Sequence, residues 1–275
     1  MPAQNLPGLV LDRAHPLARG MVGWWPLNEG GGIRANDLVA GNAGTLTNGP
    51  TARGSVLGAA RAFDGSDDHL IIPHSPALAI TTDITIACWA LTTTISGWRQ
   101  FLDKGPNPTT HPAPYQIGQY DGTGQIYFGR GNGSSSTSLT SSSAAIAGAW
   151  TFWVCTWAGG TFRIYYNGRL DASSSASPTC TDAGHALYVG QREDLAAACW
   201  SGAFAHLRIY NRAIDAREVA RLYAEPLAGA VVPVKVARYY TAPTADPPAV
   251  PTRPLSADRL NNRTFARNWR RGETG

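Results

Sequence analysis

The stretch WTFWVCTWAGGTFRIYYNGRL, residues 150–170, constrains the fold more than any other. It reads as two strands joined by a tight turn at Gly159-Gly160, a dipeptide that supplies positive φ without steric cost. On the first strand Trp150, Phe152 and Val154 point to one side, while Trp153, Cys155 and Trp157 point to the other. Both sides are apolar, so an inner strand covered on two faces is expected, as in a sandwich. The second strand, residues 162–166, ends at Asn167-Gly168, another turn signal.

A chain of 275 residues can bury a large core, and one all-β sandwich with extensions suits that length better than two α/β domains. The 30 glycines and 19 prolines fall between short β-branched or aromatic runs, where an all-β chain needs its turns. Charged residues make up 15% and the net charge is a mild +4. Lysine occurs only at Lys104 and Lys235, so nearly every positive charge is arginine. That reflects an arginine-favouring composition before it implies phosphate or carboxylate recognition.

The N-terminus, MPAQNLPGLVLDRAHPLARG, holds no apolar run long enough for a signal-peptide core, so export by the usual route is not expected. No segment approaches the ~20 apolar residues of a membrane span. Four cysteines do not make a disulfide framework in a chain this long. Cys88 and Cys155 sit mid-strand as small hydrophobes. Cys180 and Cys199 flank the strand around residues 187–189, where a bridge is open. Without a C-x-x-C pair, no zinc site is expected.

In chain order, residues 1–20 read as an extended arm broken by Pro2, Pro7 and Pro16. Strands follow at 22–27, at 59–63 and 69–72 around an Asp64-Gly65 turn, and centrally at 84–89. Weaker strands fall at 98–102, 115–118 and 125–128. The serine-rich segment 131–145 is a loop or a polar edge strand, and 171–178 a second serine-rich loop. After strands at 186–190 and 204–210, one helix is expected over 215–223. Asp215 caps it, Glu218 completes a capping box, Ile214, Val219, Leu222 and Tyr223 form its apolar stripe, and Pro226 ends it. The expected division is an N-terminal arm (1–20), a jelly-roll domain (21–226) and a C-terminal arm (227–275).

That C-terminal arm differs in character. Pro233 restricts a strand over 231–240 to an edge or to pairing with another chain. Residues 241–254 are proline-rich and unable to form a core. Beyond them lie Arg253, Arg259, Arg263, Arg267, Arg270 and Arg271. With little aromatic residue interleaved among these arginines, nucleic-acid binding is not expected.

Several motifs, weak singly, are strong in this order. Trp25-Pro26-Leu27-Asn28-Glu29-Gly30, Ala62-Phe63-Asp64-Gly65-Ser66-Asp67-Asp68, Thr85–Trp89, Ile164-Tyr165-Tyr166-Asn167-Gly168 and Leu207–Ala213 together resemble the laminin-G-like, concanavalin-A-like jelly-roll family over residues 21–225. The resemblance implies two antiparallel sheets packed face to face with a helix across one end. It does not carry one function, because such sandwiches host lectins, glucanases and adhesion domains. The family's glucanases keep an E-x-D-x-x-E strand that this sequence lacks, so no catalytic residue is expected. Family members often hold calcium, for which Asp37, Asp64, Asp67 and Asp68 stand in position. The strand that usually carries two further acids reads Ala205 and His206 instead, so no metal or other cofactor is expected, and the aspartates serve as turn caps.

Trp25, Trp89, Trp150 and Trp153 belong to the core, whereas Trp98 and Trp157 lie nearer strand ends and are the candidates to stack on a sugar. The terminal arms are similar to those of proteins encoded by tailed bacteriophages. That implies a virion component on the outer particle surface: a decoration, fibre or tail-associated protein. Its arms would then dock on neighbouring subunits through Val231, Val232, Val234, Arg263, Arg267 and Arg270. The alternative is a carbohydrate-binding module of a bacterial surface system.

Overall fold

A computed structural model describes residues 8–39, 41–55, 58–105, 114–193 and 198–231, all within one compact unit. Two eight-stranded antiparallel sheets form a sandwich, with strands numbered in chain order. The first sheet runs from Ser136–Ala144 (β12) through Gln125–Gly131 (β11), Tyr115–Gln119 (β10), Arg99–Lys104 (β9) and Leu187–Val189 (β16). It continues through His69–Ile72 (β7) and Gly44–Thr47 (β4) to Arg34–Ala35 (β3). The second runs through Arg169–Ser175 (β15), Thr161–Tyr166 (β14), Trp150–Ala158 (β13), Ile84–Thr92 (β8) and Ser201–Tyr210 (β17) to Gly58–Asp64 (β6) and Thr51–Ser55 (β5). Met21–Trp25 (β2) pairs with the C-terminal half of β17, and β6 pairs with its N-terminal half. Val10–Leu11 (β1) and Ala230–Val231 (β18) form a two-residue ribbon, and Ala216–Ala224 is the helix α1.

The hairpin of β13 and β14 turns where expected. Gly159 and Gly160 take φ of +53° and +77°, the paired positive angles of a two-residue turn. Asn167 and Gly168, at +48° and +82°, make the next one into β15. Strand β13 lies between β14 and β8, and its two faces enter two different apolar layers. Trp153 and Cys155 join Trp25, Phe101, Phe128 and Phe204 between the sheets. Phe152 and Val154 join Trp24, Trp89 and Tyr210 in an outer layer, beneath Val219 and Leu222 of α1 and beneath Leu11 and Leu17. The second sheet is therefore covered on both faces. Among the described residues no apolar layer covers the outer face of the first.

The N-terminal segment differs from its expected extended form. From residue 9 onward it lies on its own chain: Leu11 and Leu17 are buried in the outer layer, and the Asp12 amide donates to the Gly229 carbonyl at 2.9 Å. Its prolines break regular structure, yet its leucines carry enough apolar surface to hold it down. The serine-rich run 171–175, expected as a loop, belongs to edge strand β15. There the Asp171 carboxylate accepts from the Ser142 and Ser143 amides of β12 at 2.7 and 3.1 Å, which ties one sandwich edge to the other. All four cysteines are free, so the bridge left open between Cys180 and Cys199 is not formed.

Candidate functional site

On the first sheet, alternation sends Ile126 and Phe128 of β11 into the core and leaves Tyr127 on the outer face. Tyr127 stands opposite Gly118 of β10, where a Cβ would come within 2.4 Å of its hydroxyl oxygen. The missing side chain is what lets the phenol lie flat across β10. The Tyr127 hydroxyl then reaches Gln100 Oε1 on β9 at 3.4 Å. Gln100 is held by its own amide, which donates to the Leu102 and Ile117 carbonyls at 2.7 and 3.0 Å. Burial, with the Asp103 charge nearby, pushes the Tyr127 phenol well above its ordinary range, so it stays a neutral donor and acceptor.

Two more rings extend this surface beyond the strand ends. Trp98, 54% exposed, meets Tyr120 edge-on at 4.6 Å between centroids and Tyr127 at 6.1 Å, and Tyr120 lies 5.0 Å from Tyr127. The loop bearing Trp98 is fixed by hydrogen bonds: Gly97 N–H to Asp121 Oδ1 at 2.5 Å, and Gly122 N–H to the Ile95 carbonyl at 2.8 Å. Arg99, next to Trp98, spends its donors on the Ser96 and Cys199 carbonyls. Across the sheet the register aligns Gln116, Asp103 and Tyr188 in one outer row, and His69 stacks on Tyr188 at 5.9 Å. Strand β16, which carries Tyr188, is anchored from below: fully buried Lys104 donates to Asp182 Oδ2 at 2.9 Å and to the His185 carbonyl at 2.6 Å. The result is an outer-face cluster of aromatic rings flanked by the Gln116 amide, with Gln100 and Asp103 buried beneath it at 2% and 3% exposure, and such a surface suits a ligand with one apolar face.

The two tryptophans singled out from sequence are not brought together. Trp157 sits beside Ile84 at the start of β8, while Trp98 follows the loop at the far end of that strand. Eight steps of about 3.3 Å put roughly 26 Å between those ends. Trp157 is half-buried: the Arg130 guanidinium lies 4.9 Å over its ring, and its N–H donates to the Ala176 carbonyl at 3.0 Å. Val231 pairs with Val10 of its own chain, and Val232, Val234, Arg263, Arg267 and Arg270 lie outside the described residues. Sequence reasoning missed Tyr120, Tyr127 and Tyr188. The alternation Ile126-Tyr127-Phe128 held the signal for Tyr127, while Tyr120, just past a strand end, had none.

The carboxylates of Asp64, Asp67 and Asp68 offer oxygens within 4.8 Å of one another. Their hydrogen bonds serve the turn itself: Asp64 Oδ1 accepts from the Ser66 amide at 2.7 Å, and Asp68 Oδ2 from the Asp64 amide at 3.0 Å. The Ser66 bond holds the Asp64 carboxyl below its ordinary range, and burial raises that of Asp68. Among the described residues no helix is long and apolar enough to cross a membrane.

Similar solved structures include the binding domain of Paraclostridial Mosquitocidal Protein 1, with TM-score 0.59, 14% identity and coverage of 80% of this chain and 52% of that one. They also include domain 4 of AbnA, an extracellular arabinanase from Geobacillus stearothermophilus, in complex with arabinotriose (TM-score 0.59, 17% identity, 76% of this chain and 98% of that one). A Trypanosoma rangeli sialidase in complex with sialic acid is similar too, at TM-score 0.57 and 16% identity over 74% of this chain and 33% of that one. The chain thus spans about half the length of the mosquitocidal binding domain and about a third of the sialidase. At these identities the likeness is one of fold. No curated protein is significantly similar in sequence. Residues 64–220, more than half of the chain, match the profile of one family, and with the two-sheet sandwich already described this makes the chain a member of the concanavalin A-like lectin/glucanase superfamily.

Proposed function

We propose that the chain is a non-catalytic attachment protein that holds a glycan on the outer face of its first sheet. One observation carries the reading: the sheet face left open bears Trp98, Tyr120 and Tyr127 as a single aromatic cluster, with the partly exposed Gln116 on the same face. A flat ring stacks on the apolar face of a sugar, and an exposed flanking amide such as that of Gln116 takes its hydroxyls. Two of the similar structures are consistent with a binding role, one being the binding domain of a mosquitocidal protein and the other a domain in complex with arabinotriose. The absence of an E-x-D-x-x-E strand supports recognition without hydrolysis. The finer assignment is to a virion component displayed in many copies, where weak single contacts sum to useful avidity. It rests on the phage-like sequence of the terminal segments.

A glycan array followed by calorimetric titration of its hits tests the binding reading. Trp98→Ala is expected to weaken the interaction by about tenfold or more, while the Tm stays within about 2 °C because the ring is largely exposed. Binding that survives both Trp98→Ala and Tyr127→Ala places the ligand elsewhere and ends this reading.

A further inference from the structure

A buried cation in the outer apolar layer has no acid to face among the described residues. Arg208 of β17 is 0% exposed, and its guanidinium carbon lies 3.9 Å over the Trp24 ring. Its Nη2 donates to the Pro226 carbonyl just past α1. Among the described residues, its Nε and Nη1 groups find no acceptor. The side chains that act on it electrostatically are Tyr210 and Cys88, both neutral at ordinary pH, and burial lowers the arginine to about 10. Folded proteins pair or neutralise a charge so placed.

The neighbours share the deficit. The register sets Trp24 and Ala87 directly opposite Arg208, and Tyr210 follows two residues along the strand. The Trp24 indole N–H and the Tyr210 hydroxyl also lack partners among the described residues, as does the Trp89 N–H on β8. Guanidinium and indole groups can only donate, so what completes the set is an acceptor, and the charge calls for a negative one. One cation calls for one negative charge. Full burial beside Trp24 and Ala87 favours a weakly hydrated, single-atom species over a bulky or divalent one.

We propose that Arg208, Trp24 and Tyr210 form an internal site for a small monovalent anion of halide size. It lies between the second sheet and the cover made by α1 and the β1–β18 ribbon, and it is independent of the glycan surface on the other sheet. Bound there, the anion ties the cover to the sheet and stabilises the folded state by mass action.

The test uses the full chain, unfolded thermally in sodium bromide and in sodium gluconate at equal ionic strength. Bromide at 100 mM is expected to raise the Tm by about 3 °C, saturably, over gluconate. Arg208→Met is expected to lose that response and to melt at or above the wild-type temperature in gluconate. Wild-type crystals soaked in bromide should show an anomalous peak at hydrogen-bonding distance from Arg208 Nε or Nη1. No bromide-specific shift, a shift that persists in Arg208→Met, or an anomalous signal confined to the surface would each overturn the proposal. Should Arg208→Met fail to fold, the wild-type titration and soak decide alone.

Discussion

Two glycines show how much a single position decides in this sandwich. Gly118 leaves the space in which the Tyr127 ring lies, and a Cβ there would sit 2.4 to 2.5 Å from the ring and its hydroxyl. Gly118→Ala should cost about 1–2 kcal/mol in urea unfolding, because the phenol can swing aside. In the Tyr127→Ala background that cost should largely vanish, a coupling that a double-mutant cycle reads directly. Additive effects would mean that the ring does not depend on the gap. Gly202 of β17 is less forgiving. Its φ is +151°, and a Cβ would lie 1.9 Å from the Leu91 carbonyl oxygen of the adjacent strand, which cannot swing away. Gly202→Ala should cost about 3 kcal/mol or more by the same measurement, and a loss below about 1 kcal/mol would refute the strain. Neither role was legible in the sequence, because each depends on which residue the register places opposite.

Elements were read more readily than contacts. The β13–β14 hairpin announced itself through Gly159-Gly160 and its two apolar faces, and α1 through Asp215 and Glu218. Both ends of the capping box are made: Asp215 accepts from the Arg217 and Glu218 amides, and Glu218 accepts from the Asp215 amide at 2.9 Å. Glu218 also takes a bidentate pair from Arg212 at 2.6 and 2.8 Å, which holds its carboxyl below its ordinary value. A carboxylate whose folded pKa is depressed stabilises above its unfolded pKa and loses that contribution as pH falls through the folded value. Glu218→Gln should therefore melt below wild type at pH 7, with the gap closing as pH drops below about 4. A gap constant with pH would assign the loss to packing instead. The edge strand β15 escaped prediction for a physical reason. An edge strand with one solvated face buries little, so its serines carry no apolar alternation to read.

At the scale of the molecule, the asymmetry between the two sheets organises everything else. The second sheet is sealed on its outer face by α1 and by residues 9–18, while the first keeps rings and the Gln116 amide outward. The doubly apolar pattern of β13 foretold a covered strand. It did not foretell that the N-terminal leucines supply part of the cover, because the segment holding them reads locally as an irregular arm. The aromatic cluster was half legible: Trp98 stood out near a strand end, but Trp157 looked equivalent until Arg130 was seen over its ring. The most direct test of this asymmetry is hydroxyl-radical footprinting of the full chain, with and without the glycan that binds best on an array. Free protein should be oxidised at Trp98 and spared at Trp24, Trp25, Trp153 and Trp200, and ligand should protect Trp98, Tyr120 and Tyr127 alone. Protection appearing instead at Trp150 or Tyr223, on the side of the second sheet, would contradict it.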